Sequence, residues 1–157
     1  CFSPCHGCID NAIHSAAGLQ LRAECSRLME AQGHAEPTGR AKLTRGYALP
    51  ARYVLHTVGP IVHGGVTRAD REALASCYRS CLSLAAERGL RSVAFCCIST
   101  GEFHFPNGEA AGIALKTVTD FLRHEKVIFN VFKDIDADLY RALLGEPRPA
   151  SAGPGPG

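Results

Sequence analysis

An α/β domain of three layers, with a mixed and largely parallel central sheet between helices, is the architecture the sequence predicts. Three observations point to it. Apolar runs of strand length alternate with amphipathic stretches of helix length. Residues 92–98 and 127–132 are almost continuously apolar, as strands covered on both faces are. Glycine or proline punctuates most of the junctions between these runs. The 157 residues suffice for one such domain with a sizeable core, and 46% hydrophobic with 20% charged residues is ordinary for a globular chain.

The elements follow in order. Asp10 is placed to cap a helix reaching about Ala31, whose Ile13, Ala16, Ala17, Leu21, Cys25 and Leu28 recur at the helical period, with Gly18 as a bend. Glu36-Pro37-Thr38-Gly39 reads as a turn, residues 42–49 as a strand ended by Pro50, and residues 53–58 as a second strand closed by Gly59-Pro60. After a loop over 61–67, residues 68–88 predict a helix with Leu74, Cys77, Tyr78, Cys81, Leu82 and Ala85 on one face and Gly89 just past its end. The strand at 92–98 leads through a loop at 99–107 into a helix at 109–123, and the strand at 127–132 leads into a last helix, capped by Asp134 or Asp136, that ends at Leu144. Residues 145–157, rich in Gly, Pro and Ala, have the composition of a disordered tail, so the domain is expected over 1–144. Four strands are legible and none precedes the first helix, so N-terminal strands of the sheet are expected to be missing from the chain, which opens on Cys1.

Charge and hydropathy narrow the function classes. A net charge of +2 gives no electrostatic ground for nucleic-acid binding, and no apolar run is long enough for a membrane span. Arg40, Lys42 and Arg45 read as a solvated face, and no secretory leader pattern is visible. Of eight cysteines, Cys25, Cys77, Cys81, Cys96 and Cys97 fall in helix or strand patterns and read as small buried hydrophobes, which suits a reducing cytoplasm. His56, in an apolar strand, reads as a core histidine.

Two loops carry the chemistry. Cys1, His6 and Cys8 are spaced as three thiolate and imidazole ligands ahead of a helix N-terminus, leaving one position of a tetrahedral zinc open; Cys5 competes with Cys1 for the same role. The bland alternative is a surface loop with incidental cysteines, and Cys5-His6-Gly7-Cys8 also has the C-x-x-C form of a thiol oxidoreductase, although no strand precedes it. Asp10 and Asn11 open the helix, where Asp10 either caps or aligns a water near the metal. Ser99-Thr100-Gly101-Glu102-Phe103 follows a buried strand, where ligands of open α/β sheets bind. Gly101 allows close approach of a phosphate to backbone amides, and Phe103 can wall off a sugar, although an ordinary strand-to-helix turn has the same composition.

These segments, in this order, resemble the macrodomain family and its zinc-containing branch of ADP-ribosyl hydrolases. The resemblance rests on residues 6–18 (HGCIDNAIHSAAG), 53–60 (YVLHTVGP), 97–107 (CISTGEFHFPN) and 127–132 (VIFNVF). It implies a three-layer α/β/α macrodomain-like sandwich binding ADP-ribose at the strand ends. It further implies Zn2+ held by Cys1, His6 and Cys8 beside the distal ribose, Asp10 as the acid tied to catalysis, and Asn11 next to the ribose. Residues Ser99, Thr100, Gly101, Glu102 and Phe103 match the loop that wraps the diphosphate, and Phe132 falls where an aromatic stacks on adenine. The function implied is removal of mono-ADP-ribose from modified proteins, in some bacteria from a lipoyl-carrier protein, by a cytoplasmic monomer. An ADP-ribose-binding module with a purely structural zinc is the alternative. The family's Gly-Asp-Ile-Thr-like and Asn-Ala-Ala-Asn-like motifs do not occur before the cysteine loop, and Gly108 stands where the family often has a charged residue.

Overall fold

The computed structural model describes residues 8–122 and 126–146. It contains five helices and four strands among those residues: α1 (Ile9–Ala17), α2 (Leu19–Gln32), β1 (Ala41–Arg45), β2 (Tyr53–Thr57), α3 (Arg68–Glu87), β3 (Ser92–Phe95), α4 (Asn107–Phe121), β4 (Lys126–Phe129) and α5 (Asp134–Leu144). The strands form two ladders. β1 and β2 pair antiparallel with Ala41 opposite Thr57, and β3 and β4 pair parallel with Ser92 opposite Lys126. Among the described residues these are two separate two-stranded sheets, one antiparallel and one parallel, where the sequence predicts one central, largely parallel sheet.

Three layers arise from the two-residue period of β2. Leu55 packs against the main core, which includes Leu74, Cys77 and Tyr78 of α3. Its neighbour Val54 packs against Ala17, Leu21 and Cys25 of α1 and α2. Successive side chains on a strand point to opposite faces, so the β1–β2 ladder lies between α3 on one side and the α1–α2 pair on the other. The α/β/α sandwich expected from the alternation of elements is what the chain forms.

α3 is the longest helix, and its ends have clear chemical causes. Thr67 Oγ1 accepts from the Asp70 amide at 3.1 Å while Asp70 Oδ2 accepts from the Thr67 amide at 2.8 Å, a reciprocal capping box. Gly89, in the left-handed region at φ +62°, ends it as expected. Its buried stripe packs against α4 and both strands of the first ladder. Tyr78 reaches Phe95 of β3 with ring centroids 5.0 Å apart, and Phe129 of β4 meets Tyr140 of α5 at 4.9 Å, so aromatic contacts join the second ladder to its helices.

Four expectations are corrected in detail. The first helix does not run unbroken to Ala31: Gly18, at φ +85°, separates α1 from α2, a backbone state that glycine adopts without steric cost. Its cap is Cys8, not Asp10. The last helix takes Lys133 at its N-cap with no side-chain bond, because Asp136 turns inward, is buried, and accepts from the Asn107 amide group. Residues 92–98 are not covered on both faces, since Ser92 and Ala94 are exposed while Phe95 is buried, and the strand stops at Phe95. Residues 147–157 of the expected tail lie outside the described residues.

Leu74 is fully buried at the centre of this arrangement. Leu74→Ala is expected to lower unfolding free energy by about 2–5 kcal/mol, read as a shift of the urea midpoint at unchanged slope.

Candidate active site

The cysteine loop meets the fold at Cys8. Cys8 occupies the N-cap of α1 with extended backbone, and its sulfur accepts the Asn11 amide at 3.4 Å. The sulfur is a larger and more polarisable acceptor than the hydroxyl or carboxylate usually found at a cap, and it satisfies one of the amides that a helix start leaves over. A half-buried thiol at this position is a suitable zinc donor, and an anionic sulfur is favoured beside a helix N-terminus. Cys1, Cys5 and His6 lie outside the described residues.

Displaced from the cap, Asp10 sits in the first turn and points along the helix to His14, whose Nε2 is 3.6 Å from Asp10 Oδ1. The pair is spaced four residues apart, the separation that brings side chains together on one helix face. His14 is buried, and burial pulls its pKa below the ordinary imidazole value despite the raising influence of Asp10. Across the layer, His56 projects from β2 toward the same helices. Its Nε2 lies 2.9 Å from Thr44 Oγ1 and 3.9 Å from Cys25 Sγ, and its ring centroid is 6.2 Å from that of His14. Desolvation lowers the His56 pKa to about 4, and burial raises that of Cys25. Asn11 is half-buried on the next position of α1.

The second loop is joined to the end of β2. Gly59 and Pro60 are buried just beyond β2, and a side chain on Gly59 would overlap Ser99 Oγ and fall 2.9 Å from Ile98 Cγ2. The Val62 amide donates to the Phe103 carbonyl at 2.9 Å, clipping the two loops together. Ser99 itself adopts φ +65°, a left-handed conformation costly for a non-glycine residue, and its buried hydroxyl has no hydrogen-bond partner among the described residues. Phe105 donates its amide to the Ser99 carbonyl at 2.9 Å and inserts its ring into the core. His104 donates its amide to the Gly101 carbonyl at 3.0 Å, and Thr100 Oγ1 donates to the Cys97 carbonyl at 3.1 Å.

With these bonds made, the amides of Gly101, Glu102 and Phe103 donate to no acceptor among the described residues. Gly101 and Glu102 are exposed, and a Cβ on Gly101 would meet nothing within 4 Å. Consecutive open amides on a loop pinned at both ends can bind an anion such as a phosphate. The two candidate loops thus share β2 as a neighbour: His56 touches the α1–α2 side, and Gly59, three residues on and about 10 Å along an extended chain, touches Ser99. Phe132 stands on the segment between β4 and α5, beyond the end of the strand expected to contain it, and is 98% exposed. An aromatic ring so fully in water is a ready stacking surface.

The sequence reads His14 as a core or surface histidine, Cys25 as a small buried hydrophobe and Gly59 as the end of a strand; His14 and Cys25 are buried, and all three also neighbour the candidate site. The four-residue spacing of Asp10 and His14 was a usable signal; the contacts of Cys25 and Gly59 cross between layers and leave none. A cavity of about 590 Å³ lies elsewhere, between α3 and α4. Three of its four cations are matched by acids, Arg71 to Glu109, Arg79 to Glu72 and Lys116 to Asp120, and Arg68 is the fourth.

Residues 3–114 match the Macro domain family, and the chain belongs to that family. It is 54% identical over 148 residues to a protein-ADP-ribose hydrolase of Treponema medium, an alignment spanning 92% of this chain and 57% of that protein. The chain therefore spans little more than half the length of these curated relatives. Among solved structures, a variant of the Oceanobacillus iheyensis macrodomain with ADPR superposes at a TM-score of 0.82 with 38% identity, covering 88% of this chain and 76% of that one. The Trypanosoma brucei macrodomain in complex with ADP-ribose superposes at 0.77 with 42% identity, covering 88% and 57%.

Two measurements check this geometry. Gly59→Ala is expected to destabilise the fold by about 1–3 kcal/mol through its overlap with Ser99 and Ile98; adding Ser99→Gly, which removes the hydroxyl and the left-handed strain together, should recover a substantial part of that loss in urea titrations. The second is pH dependence in the presence of a metal chelator. His56 has a folded pKa of about 4 against 6.5 unfolded, so the unfolded chain binds the extra proton between those values. The corresponding stability is complete above pH 6.5 and is lost as pH falls toward 4, by about 3 kcal/mol for His56 alone. An imidazole resonance of His56 titrating near 6.5 in the folded protein would contradict this.

Proposed function

We propose that the chain carries the site of a hydrolase that removes mono-ADP-ribose from modified proteins. The observation that carries the proposal is the run of open amides at Gly101, Glu102 and Phe103, in a Macro domain related to proteins named as ADP-ribose hydrolases. Those amides, with Ser99 and Thr100 shaping the turn, hold the diphosphate and fix the distal ribose in place, so that orientation and charge stabilisation are built before the reaction begins. Phe132 stacks on the adenine, and Asn11 hydrogen-bonds the ribose.

Asp10 orients the attacking water and accepts its proton. Its pairing with His14 directs the carboxylate along α1, and a carboxylate so held acts as a general base worth roughly 10²–10⁴ in rate. Cys1, His6 and Cys8 would hold a zinc ion at the mouth of α1; when bound, zinc supplies Lewis-acid polarisation of a sugar oxygen or of a water. The position of Cys8 at the helix start supports this ligand set. Mono-ADP-ribosylated proteins, a lipoyl-carrier protein among them, are the substrates of this reading, and the enzyme works as a monomer in a reducing cytoplasm. Cys25, Cys77, Cys81, Cys96 and Cys97 are free thiols, which fits that compartment.

The test is release of free ADP-ribose from a mono-ADP-ribosylated protein. Asp10→Asn is expected to lower turnover by about 10²–10⁴ while ADP-ribose binding, measured by calorimetry, stays within a few fold. Tight binding by the parent chain without any turnover would select a reader of ADP-ribose instead.

A further inference from the structure

A second donor cluster lies apart from the cysteine loop. His14 comes from α1, Cys25 from α2 and His56 from β2, and one donor atom from each lies within 4.8 Å of the other two. His14 is 6% exposed and Cys25 1%. Neither ring nitrogen of His14 has a hydrogen-bond partner among the described residues, Asp10 Oδ1 standing 3.6 Å from Nε2. Native interiors seldom bury an imidazole without satisfying it, and each exception calls for a reason. Here the unsatisfied ring is turned toward a thiol and a second imidazole.

The chemistry of the set suits zinc. One thiolate and two imidazoles are typical zinc donors, and tetrahedral zinc with bonds of about 2.0–2.3 Å brings its donors to separations of about 3.3–3.8 Å. Closing from the observed spread requires an inward shift of about 1 Å, within the reach of small rotamer adjustments. Cys25 Sγ and His56 Nε2 are already 3.9 Å apart. The lone pair of His56 Nε2 can be released, because Thr44 Oγ1, its present neighbour at 2.9 Å, also lies 3.3 Å from the Arg45 carbonyl and can donate there instead. Burial keeps both imidazoles in the neutral form that metals bind.

We propose that His14, Cys25 and His56 form a zinc site of their own, with the fourth position left to water, which ties α1, α2 and β2 into one unit. Zinc takes the place of the Cys25 thiol proton, which passes to solvent, and the site then carries one net positive charge. The Asp10 carboxylate, 3.6 Å from His14 Nε2, balances that charge. The proposal does not depend on the hydrolase reading, since it concerns metal content and not turnover.

To test it, the opening thiols are removed with Cys1→Ser, Cys5→Ser and Cys8→Ser together, and the chain is loaded with zinc and desalted. About one equivalent of zinc is expected to remain, with X-ray absorption reporting one sulfur and two imidazole ligands, and cobalt in its place should show sulfur-to-metal charge-transfer absorption. Adding Cys25→Ser is expected to weaken zinc binding at least about tenfold and to abolish that absorption. Loss of all zinc from the triple variant, or retained zinc with no sulfur neighbour, overturns the proposal. If the Cys25→Ser chain fails to fold, the absorption spectrum of the triple variant decides alone.

Discussion

Between Val54 and His56 the chain sends successive side chains into opposite layers, and the remaining elements are arranged around that alternation. Leu55 belongs to the α3 core, while Val54 and His56 face α1 and α2. A slip of one residue between β1 and β2 would exchange the two sets, placing an imidazole against Leu74 and a leucine against His14. The register is therefore fixed by mismatch on both faces and not by ladder hydrogen bonds alone. Just past the end of the same strand, the Val58 carbonyl accepts from the Gly39 amide and from the Cys77 thiol, so its far end is anchored before the chain turns at Gly59.

The candidate site grows out of that anchored end. Gly59 is small where Ser99 needs room, and Ser99 is strained where the loop must turn back to bury Phe105. The strain is sustained by surrounding bonds, from Val62 to Phe103 and from Phe105 to Ser99. What remains is the short stretch from Gly101 to Phe103, whose amides have no acceptor among the described residues. On the other side of β2, the shift of Asp10 from cap to first turn follows from Cys8 taking the cap, which frees the carboxylate to lie along the helix toward His14.

Much of the architecture was legible because it depends on local periodicity. The stripe from Leu74 to Ala85, the stop at Gly89 and the strands around Leu43 and Leu55 are each decided by neighbours a few residues away. The layered fold then follows from the alternation of elements. The details that escaped depend on contacts across the chain. Nothing in the spacing of residues 14, 25 and 56 reveals that a helix, its successor and a strand bring them together. Asp136 has the sequence context of a cap and instead serves Asn107 inside the fold. The alternation of exposure at Ser92 and Ala94 reflects which face of β3 the helices cover, a tertiary choice that a uniformly apolar run conceals. The loop at 99–103 was recognisable by composition, but which of its amides stay open is set by partners at Cys97, Val62 and Phe105.

The bond from the Val62 amide to the Phe103 carbonyl has a mechanical consequence. It rivets the segment that leaves β2 to the segment that leaves β3, so these lips cannot open independently. Pro60 and Phe105, one from each segment, are both seated in the interior beside this bond. The two segments are thereby framed together, while the ring of Phe132 stands outside that frame in solvent.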